Sequence, residues 1–221
     1  FKQINQGEIP NLIERSQFNK RRRKLFFFLE EVRTKLASHF LAFEDYFIVD
    51  SMPLEICKFS RHNRIKICRE KFETTPSKGF CASQNNWFFG YKLHGVCSVA
   101  GVFHSLDITK AAVHDVHFLK NIKQQMSDCV LLGDRGYLSE SIQLDLFQTV
   151  NVKLETPKRT NQKDYKPQSY IFRKSRKRIE TLFSQLCDQF MIRRNYAKSF
   201  EGFKTRILAK ITSLTLVQYI N

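Results

Sequence analysis

Three acidic residues stand where a carboxylate could do chemistry. Asp50 follows the apolar run 46–49, and Asp134 follows the apolar run 130–132 after a single glycine. Glu180 borders an apolar stripe in a segment with helical periodicity. A carboxylate at the end of a buried strand is costly unless it is paired or binds a cation. Three converging carboxylates would repel one another, so this pattern predicts a divalent cation with oxygen ligands, Mg²⁺ or Mn²⁺.

Each acid also has a purely structural interpretation. Asp50 and Asp134 could each begin a turn and bond their own backbone. Glu180 could pair with Arg176, four residues earlier, although that order is the less favourable one in a helix. Taken singly, short patterns of this kind are more often structural than functional. Two acids at buried strand ends in one basic chain shift the balance toward a shared site.

The segments that must position these acids predict a mixed α/β fold. Strands are expected at 46–49, 88–99, 102–109, 130–132 and 150–154, and helices at 114–126, 139–148, 169–190 and 199–219. The second and third strands form a hairpin that turns at 100–101. The two helical crossovers should bring their strands together in parallel with right-handed connections. We therefore expect a mixed central sheet flanked by helices.

The first 45 residues predict a helical, basic segment. An apolar stripe recurs at helical spacing through Leu25, Leu29, Val32, Leu36 and Phe40. Ser16 is a plausible N-cap. Positive charge in the first turns opposes the helix dipole, so helix stability does not explain the basic residues there. Arg22 and Arg23 are therefore predicted to contact the phosphates of DNA, with a solvated basic face as the alternative. We expect this segment at 1–45 and a catalytic domain at 46–221, with a basic insertion at 57–88.

Composition narrows the class of protein. The 221 residues include 37 Lys and Arg against 21 Asp and Glu, a net charge of +16, which favours a polyanion such as nucleic acid as partner. Hydrophobic residues make up 42% of the chain, enough for a core. No stretch approaches the ~18 apolar residues of a membrane span, and the N-terminus lacks a signal-peptide core, so we expect no membrane partner.

The six cysteines show no two-residue gap of the kind found in zinc knuckles and redox motifs. Several lie in apolar runs. We expect reduced, buried thiols in a cytoplasmic protein. A zinc site at Cys57, His62 and Cys68 remains a minor alternative.

Positive charge is concentrated between residues 157 and 178. Nine Lys and Arg stand there against one acid, Asp164. Surface charge that serves solubility is usually mixed in sign, so this run predicts a groove that follows DNA phosphates. Its predicted DNA-binding residues are Lys158, Arg159, Lys163, Arg173 and Arg176.

Five stretches together carry a family resemblance: 49–53, 90–94, 112–115, 133–137 and 178–186. In this order the chain resembles a DDE transposase of a bacterial insertion sequence, most similar to insertion-sequence family 982 within the wider transposase DDE domain group. The resemblance implies a ribonuclease-H-like fold. It also implies that Asp50, Asp134 and Glu180 are the catalytic triad that binds two Mg²⁺ or Mn²⁺ ions.

The resemblance implies a reaction and partners as well. Water attacks the end of the element and releases a 3′-OH, which then attacks target DNA without a covalent enzyme intermediate. The implied partners are double-stranded DNA, as element ends and target, and a second copy of the chain in a homodimer on DNA. Alternatives are a nuclease without strand transfer and an inactive DNA-binding protein derived from a transposase.

One departure concerns the helix of Glu180. Many insertion-sequence transposases carry Tyr, Arg and Lys at fixed offsets around this Glu. Here Arg176 fills the Arg position, but Arg173 replaces the Tyr and Cys187 replaces the Lys. Arg176 is therefore a candidate DNA contact, and no lysine role carries over.

Three further residues accompany these stretches with open roles. His94 and His114 could meet the scissile phosphate, although a structural histidine is the commoner case. Trp87 could stack on a frayed base or pack locally with Phe88 and Phe89.

Overall fold

The computed structural model describes residues 13–158, 165 and 167–221. In that part of the chain the helices are α1 (Arg15–Lys24), α2 (Phe26–Leu41), α3 (Leu119–Ile122), α4 (Glu140–Val150), α5 (Tyr170–Asp188) and α6 (Phe200–Ile220). The strands are β1 (Tyr46–Cys57), β2 (Ser77–Cys81), β3 (Asn86–Ser98), β4 (Phe103–Lys110), β5 (Cys129–Leu132) and β6 (Val152–Glu155).

These strands form one mixed sheet. The order is β2-β3-β1-β5-β6. Strand β4 also pairs with β3, along residues 91–97, whereas β2 pairs along residues 86–90. Strand β3 is antiparallel to β1, β2 and β4, whereas β1, β5 and β6 run parallel. The strands that precede Asp50 and Asp134 are therefore neighbours, as predicted. The predicted mixed sheet with flanking helices is confirmed.

Strand β1 is longer than its apolar run predicts. Asp50 lies inside it rather than at its end as predicted, and the alternative of a turn at this acid is not observed either. Antiparallel pairing with β3 continues from Asp50 opposite Gly95 to Leu54 opposite Tyr91. Pairing with β5 stops at Ile48, so the later part of β1 has a free edge on that side. A free edge tolerates a proline such as Pro53, because proline lacks the N–H of a ladder bond.

Each face of the sheet has its own core. On one face, α5 and α6 cover Ile48, Met52 and Leu93 with apolar side chains that include Leu182 and Ile207. The opposite face buries Val49, Val96 and Leu131 beneath Phe118 and Leu146. Ile48 and Val49, the two consecutive residues before Asp50 in β1, therefore belong to different layers.

The segment predicted as one helix before residue 45 is two helices, with Leu25 between them. The first begins after Glu14, so Ser16 is not its N-cap. In α2 the buried residues are Arg33 and Ala37, whereas the predicted stripe stays half-buried or exposed. Arg33 can be buried because it donates to Glu30 and to the carbonyl oxygens of Phe103 and His104.

Two other segments also differ from expectation. The segment 114–126 forms a 3₁₀ turn at Asp115–Phe118 followed by the single turn α3. The predicted insertion contributes a strand, β2, which pairs with the first residues of β3. The remaining predicted helices are present with ends shifted by one or two residues.

Candidate active site

The three predicted acids line one cavity. It has a volume of about 790 Å³ and opens where β1 and β5 separate. Asp50 reaches it from within β1, Asp134 from the segment after β5, and Glu180 from α5. Sites outside the carboxyl ends of parallel strands are common in open α/β sheets. The fold therefore brings together residues that lie 84 and 46 positions apart in the sequence.

Asp50 is the most enclosed of the three. Its Oδ1 accepts a hydrogen bond from the backbone N–H of Ser51 at 2.7 Å. Burial, with a smaller contribution from the negative charges of Asp134 and Glu180, raises the pKa of Asp50 to about 7, while the Ser51 N–H and Arg176 oppose the shift. This repulsion is what a divalent cation in the cavity would relieve.

Asp134 has two roles in this geometry. It begins the 3₁₀ turn Arg135–Tyr137, and its Oδ1 accepts from the backbone N–H of Gly136 at 2.8 Å. The turn interpretation of Asp134 is therefore correct, and the same carboxylate also lines the cavity. A Cβ at Gly136 would lie 3.0 Å from Asp134 Oδ1 and 3.6 Å from Asp115 Oδ2. The absence of a side chain there leaves room for both carboxylates.

Glu180 lies at the margin of the buried face of α5. Ile179, Leu182 and Phe183 anchor that face against the sheet. Glu180 itself is exposed and turned to the cavity. It forms no ion pair with Arg176 among the described residues, so the structural alternative for Glu180 is not observed.

A fourth carboxylate in the cavity, Asp115, was not among the predicted site residues. Its Oδ1 accepts from Ser51 Oγ at 3.1 Å and from Lys92 Nζ at 3.0 Å. The hydroxyl of Tyr137 is buried beneath this group, and burial followed by the charges of Asp115, Asp50 and Asp134 raises its pKa. The stretches 90–94 and 112–115 contain Lys92 and Asp115, but no apolar run precedes Asp115 to mark it.

The two histidines differ in position. His94 is fully buried, stacks on Phe118 with ring centroids 5.0 Å apart, and shares a hydrogen bond with Thr109 at 2.8 Å. Burial lowers its pKa to about 4, so it is neutral at pH 7. His114 is exposed at the cavity wall and caps the following 3₁₀ turn through Nδ1.

Trp87 packs against Phe80 rather than against Phe88 and Phe89. Their ring centroids are 5.4 Å apart, and both side chains are about half exposed. Phe80 and Phe88 also line the cavity. The hairpin of β2 and β3 thus supplies an aromatic wall to the site.

A second, basic cleft of about 480 Å³ adjoins the first. The two share Asp134, Arg135 and Arg176. Its wall includes three of the predicted DNA-binding residues, Lys158, Arg173 and the shared Arg176. A phosphate chain in this cleft would therefore lead to the acids.

The other predicted DNA contacts have different positions. Arg159 and Lys163 lie outside the described residues. Arg23 is exposed on α1, and Arg22 lies near Arg206 of α6, where burial and that neighbouring charge lower its pKa. Neither residue of α1 lines the two clefts described above.

The carboxylates surround the cavity without meeting at one point. In the described part of the chain, no three His, Cys, Asp or Glu side chains are close enough to hold a metal ion as they stand. This also applies to Cys57, His62 and Cys68. The donor set nevertheless suits a hard cation, because it consists of carboxylate oxygens whose mutual repulsion is only partly compensated. All six cysteines are unpaired thiols, and three of them are buried.

A family match covers most of the chain. The model of the transposase DDE domain matches residues 42–216, and the chain belongs to this family. A comparison with curated protein sequences gave no significant match. Among the described helices, none is long and apolar enough to cross a membrane.

Two similar solved structures are complexes of a transposase. One is the Mos1 transposase paired-end complex with the left transposon end, at 11% identity and a TM-score of 0.29, covering 95% of this chain and 64% of that one. The other is the Mos1 mariner paired-end complex with Mn, at 10% identity and a TM-score of 0.28. It covers 94% of this chain and 62% of that one. The chain thus spans less than two thirds of those proteins, and scores this low do not establish a common fold by themselves.

Proposed function

We propose that this protein is a DNA transposase of a bacterial insertion sequence, of the family 982 type. It would cut the phosphodiester bond at the ends of the element and join the released 3′-OH to target DNA. The observation that carries the proposal is the arrangement of Asp50, Asp134 and Glu180 around one cavity that continues into a basic cleft. Family membership supports the same assignment.

In the proposed mechanism Asp50, Asp134 and Glu180 would hold two Mg²⁺ or Mn²⁺ ions. Bound cations supply the charge that activates the attacking oxygen and stabilises the leaving oxygen. Asp50 lies between the other two acids in this scheme. The hydrogen bonds from Ser51 and Gly136 fix the carboxylates of Asp50 and Asp134 before any ligand arrives. In the first step water adds to phosphorus and the 3′-oxygen leaves; in the second that 3′-OH adds to a target phosphorus and another 3′-oxygen leaves.

Double-stranded DNA is the proposed partner, both as element ends and as target. The cleft residues Lys158, Arg173 and Arg176 would follow phosphates, and we extend this role to Arg159, Lys163, Arg22 and Arg23. We also propose the division into a helical segment at 1–45 and a catalytic domain at 46–221, and a homodimer in the DNA complex.

Sequencing of DNA breaks tests the proposal directly. The protein is incubated with Mn²⁺ and a plasmid pool that carries candidate element ends, and the breaks and joints are mapped. Breaks at element ends together with joining of pre-cut ends to a second plasmid are expected. Breaks without joining would indicate a nuclease, and binding without breaks would indicate an inactive DNA-binding protein. The Asp50→Asn variant is the matched control for a contaminating nuclease.

A further inference from the structure

The cavity of the proposed reaction holds one largely buried cation. Lys92 lies on β3 opposite Pro53, and its side chain is 14% exposed at the cavity wall. Its ammonium donates to the carbonyl oxygen of Val113 and to Asp115 Oδ1, each at 3.0 Å. Burying a lysine is costly, so its place among the carboxylates of the cavity calls for a role.

The hydrogen bonds of Lys92 leave one donor for a ligand. An ammonium group has three N–H donors. Within the described residues, Val113 and Asp115 account for two of them. The third has no partner among the described residues, and Lys92 itself lines the cavity. A phosphate oxygen is the kind of acceptor that a lysine point charge binds well.

Asp115 fixes the position of this ammonium relative to Asp50. The Oδ1 atom that accepts from Lys92 also accepts from the hydroxyl of Ser51, the residue directly after Asp50. Ser51 pairs with His94 across the β1–β3 ladder, and His94 Nδ1 lies 3.9 Å from the same oxygen. Lys92 is thus tied to the strand that carries Asp50, whereas Arg135 stands exposed at the rim.

We propose that Lys92 donates a hydrogen bond to a non-bridging oxygen of the phosphodiester that is cut, and that Asp115 is the residue that positions it. This inference rests on the proposed function, since the cations that the acids would hold are what would bring the phosphate to the cavity. A fixed ammonium beside the reacting phosphorus stabilises the charge that develops there. Lys92 would then act on the phosphate group shared by every DNA sequence.

A minimal phosphodiester tests the role without knowledge of the element ends. Hydrolysis of bis(p-nitrophenyl) phosphate in Mn²⁺ is measured for the wild type, for Lys92→Met and for the double variant Lys92→Met/Asp115→Asn. Both variants are expected to lose about 10²–10³-fold in rate, the range for one lost electrostatic donor. Lys153→Met is the control, because Lys153 also pairs with a carboxylate but is 65% exposed on β6.

The double variant separates catalysis from structure. If Lys92 only neutralises Asp115, removing both charges relieves the unpaired carboxylate and restores the rate. Recovery in the double variant would therefore overturn the proposal.

A binding measurement keeps the inference independent of catalysis. Inorganic phosphate is titrated in Mn²⁺ and the thermal midpoint is followed. Phosphate should stabilise the wild type and Lys153→Met but not Lys92→Met, while Mn²⁺ alone should stabilise all three. If the wild type hydrolyses neither the diester nor DNA, the proposed function fails. The titration still tests whether Lys92 binds phosphate. Equal stabilisation of Lys92→Met by phosphate would reject its role.

Discussion

Asp50 and Asp134 occupy matched positions relative to the paired parts of the neighbouring parallel strands β1 and β5. The last paired residues of the β1–β5 ladder are Ile48 and Leu132, and each aspartate lies two residues further along its own strand direction. Beyond this point β5 turns away through Gly133 and the 3₁₀ turn, while β1 continues along β3. The cavity is the space that this divergence creates.

Conservative replacement of the acids should separate cutting from binding. Asp50→Asn, Asp134→Asn and Glu180→Gln keep the shape of the side chain and remove a charge that would hold a cation. We expect each variant to lose DNA cleavage in Mn²⁺ and to retain DNA affinity in a gel-shift assay. Mn²⁺ should raise the thermal midpoint of the wild type more than that of the variants.

Asp134 offers an internal control for this experiment, because it also caps a turn. Asparagine can still accept the hydrogen bond of Gly136, so Asp134→Asn should melt near the wild type without metal. Asp134→Ala should cost about 1 kcal/mol of unfolding free energy. An Asp134→Asn protein that melts far below the wild type and still cuts DNA would make Asp134 a turn residue only.

The raised pKa of Asp50 predicts a pH dependence of stability. The unfolded carboxyl titrates near 3.8 and the folded one at about 7, so the folded state binds more protons between these values. The stabilisation is complete below about pH 4, falls as pH rises to about 7 and is absent above it. In chelator, the unfolding free energy of the wild type should therefore fall relative to Asp50→Asn across this range.

The pKa shift of Asp50 sets an upper limit on the difference in unfolding free energy between the two proteins. One pKa unit corresponds to about 1.4 kcal/mol, so the two proteins should diverge by at most a few kcal/mol between pH 4 and 8. Chemical denaturation at four pH values measures it. Parallel curves for the two proteins would show that Asp50 titrates normally.

A methyl group at Gly136 should damage the site more than the fold. In Gly136→Ala the new Cβ would lie 3.0 Å from Asp134 Oδ1, which must then move away from the cavity. We expect DNA cleavage to fall at least tenfold with a change in unfolding free energy below about 1.5 kcal/mol.

Gly202→Ala is the matched control for this substitution. Gly202 also donates its N–H to a capping side chain, Ser199 Oγ, and its added Cβ would lie 3.1 Å from that oxygen. It belongs to α6 and does not line the cavity. Equal loss of cleavage in both variants would mean that the effect of Gly136→Ala is not specific to the site.

The basic cleft should bind DNA through charge alone. Replacing Lys158 and Arg173 with Gln should weaken binding to all duplexes alike and reduce the slope of log K against log salt by about 0.9 per lost contact. The control pair Lys123→Gln/Lys153→Gln removes the same charge outside both clefts. Fluorescence anisotropy at four salt concentrations gives the slopes, and equal slopes for both pairs would mean that the cleft does not contact phosphate.

The structural positions of the three acids could be predicted from the sequence because of local burial signals. Apolar runs before Asp50 and Asp134 mark buried strands, and the stripe beside Glu180 marks a helix that covers the sheet. The continuation of β1 beyond Asp50 was not predicted, because Pro53 and the polar residues near it are not typical of a strand. The strand continues there because it pairs with β3. Lys92 and Asp115 meet through packing between β3 and the segment after β4, which no local pattern reveals.

The break between α1 and α2 has a similar explanation. The stripe that begins at Leu25 suggested one continuous amphipathic helix. The buried face of α2 contains Arg33, and a charged residue is not expected at a buried position from sequence alone. Its partners are backbone carbonyl oxygens of β4, so only the folded sheet makes that burial favourable.

The position of Glu180 has a consequence for the timing of synthesis. Asp50 and Asp134 lie on strands that can pair once the first two thirds of the chain have left the ribosome, but Glu180 joins them only when α5 packs on the sheet. Under the proposed function, a nascent chain in which α5 has not yet packed would therefore be unable to cut DNA. Packing of α5 would act as a maturation step for the proposed chemistry.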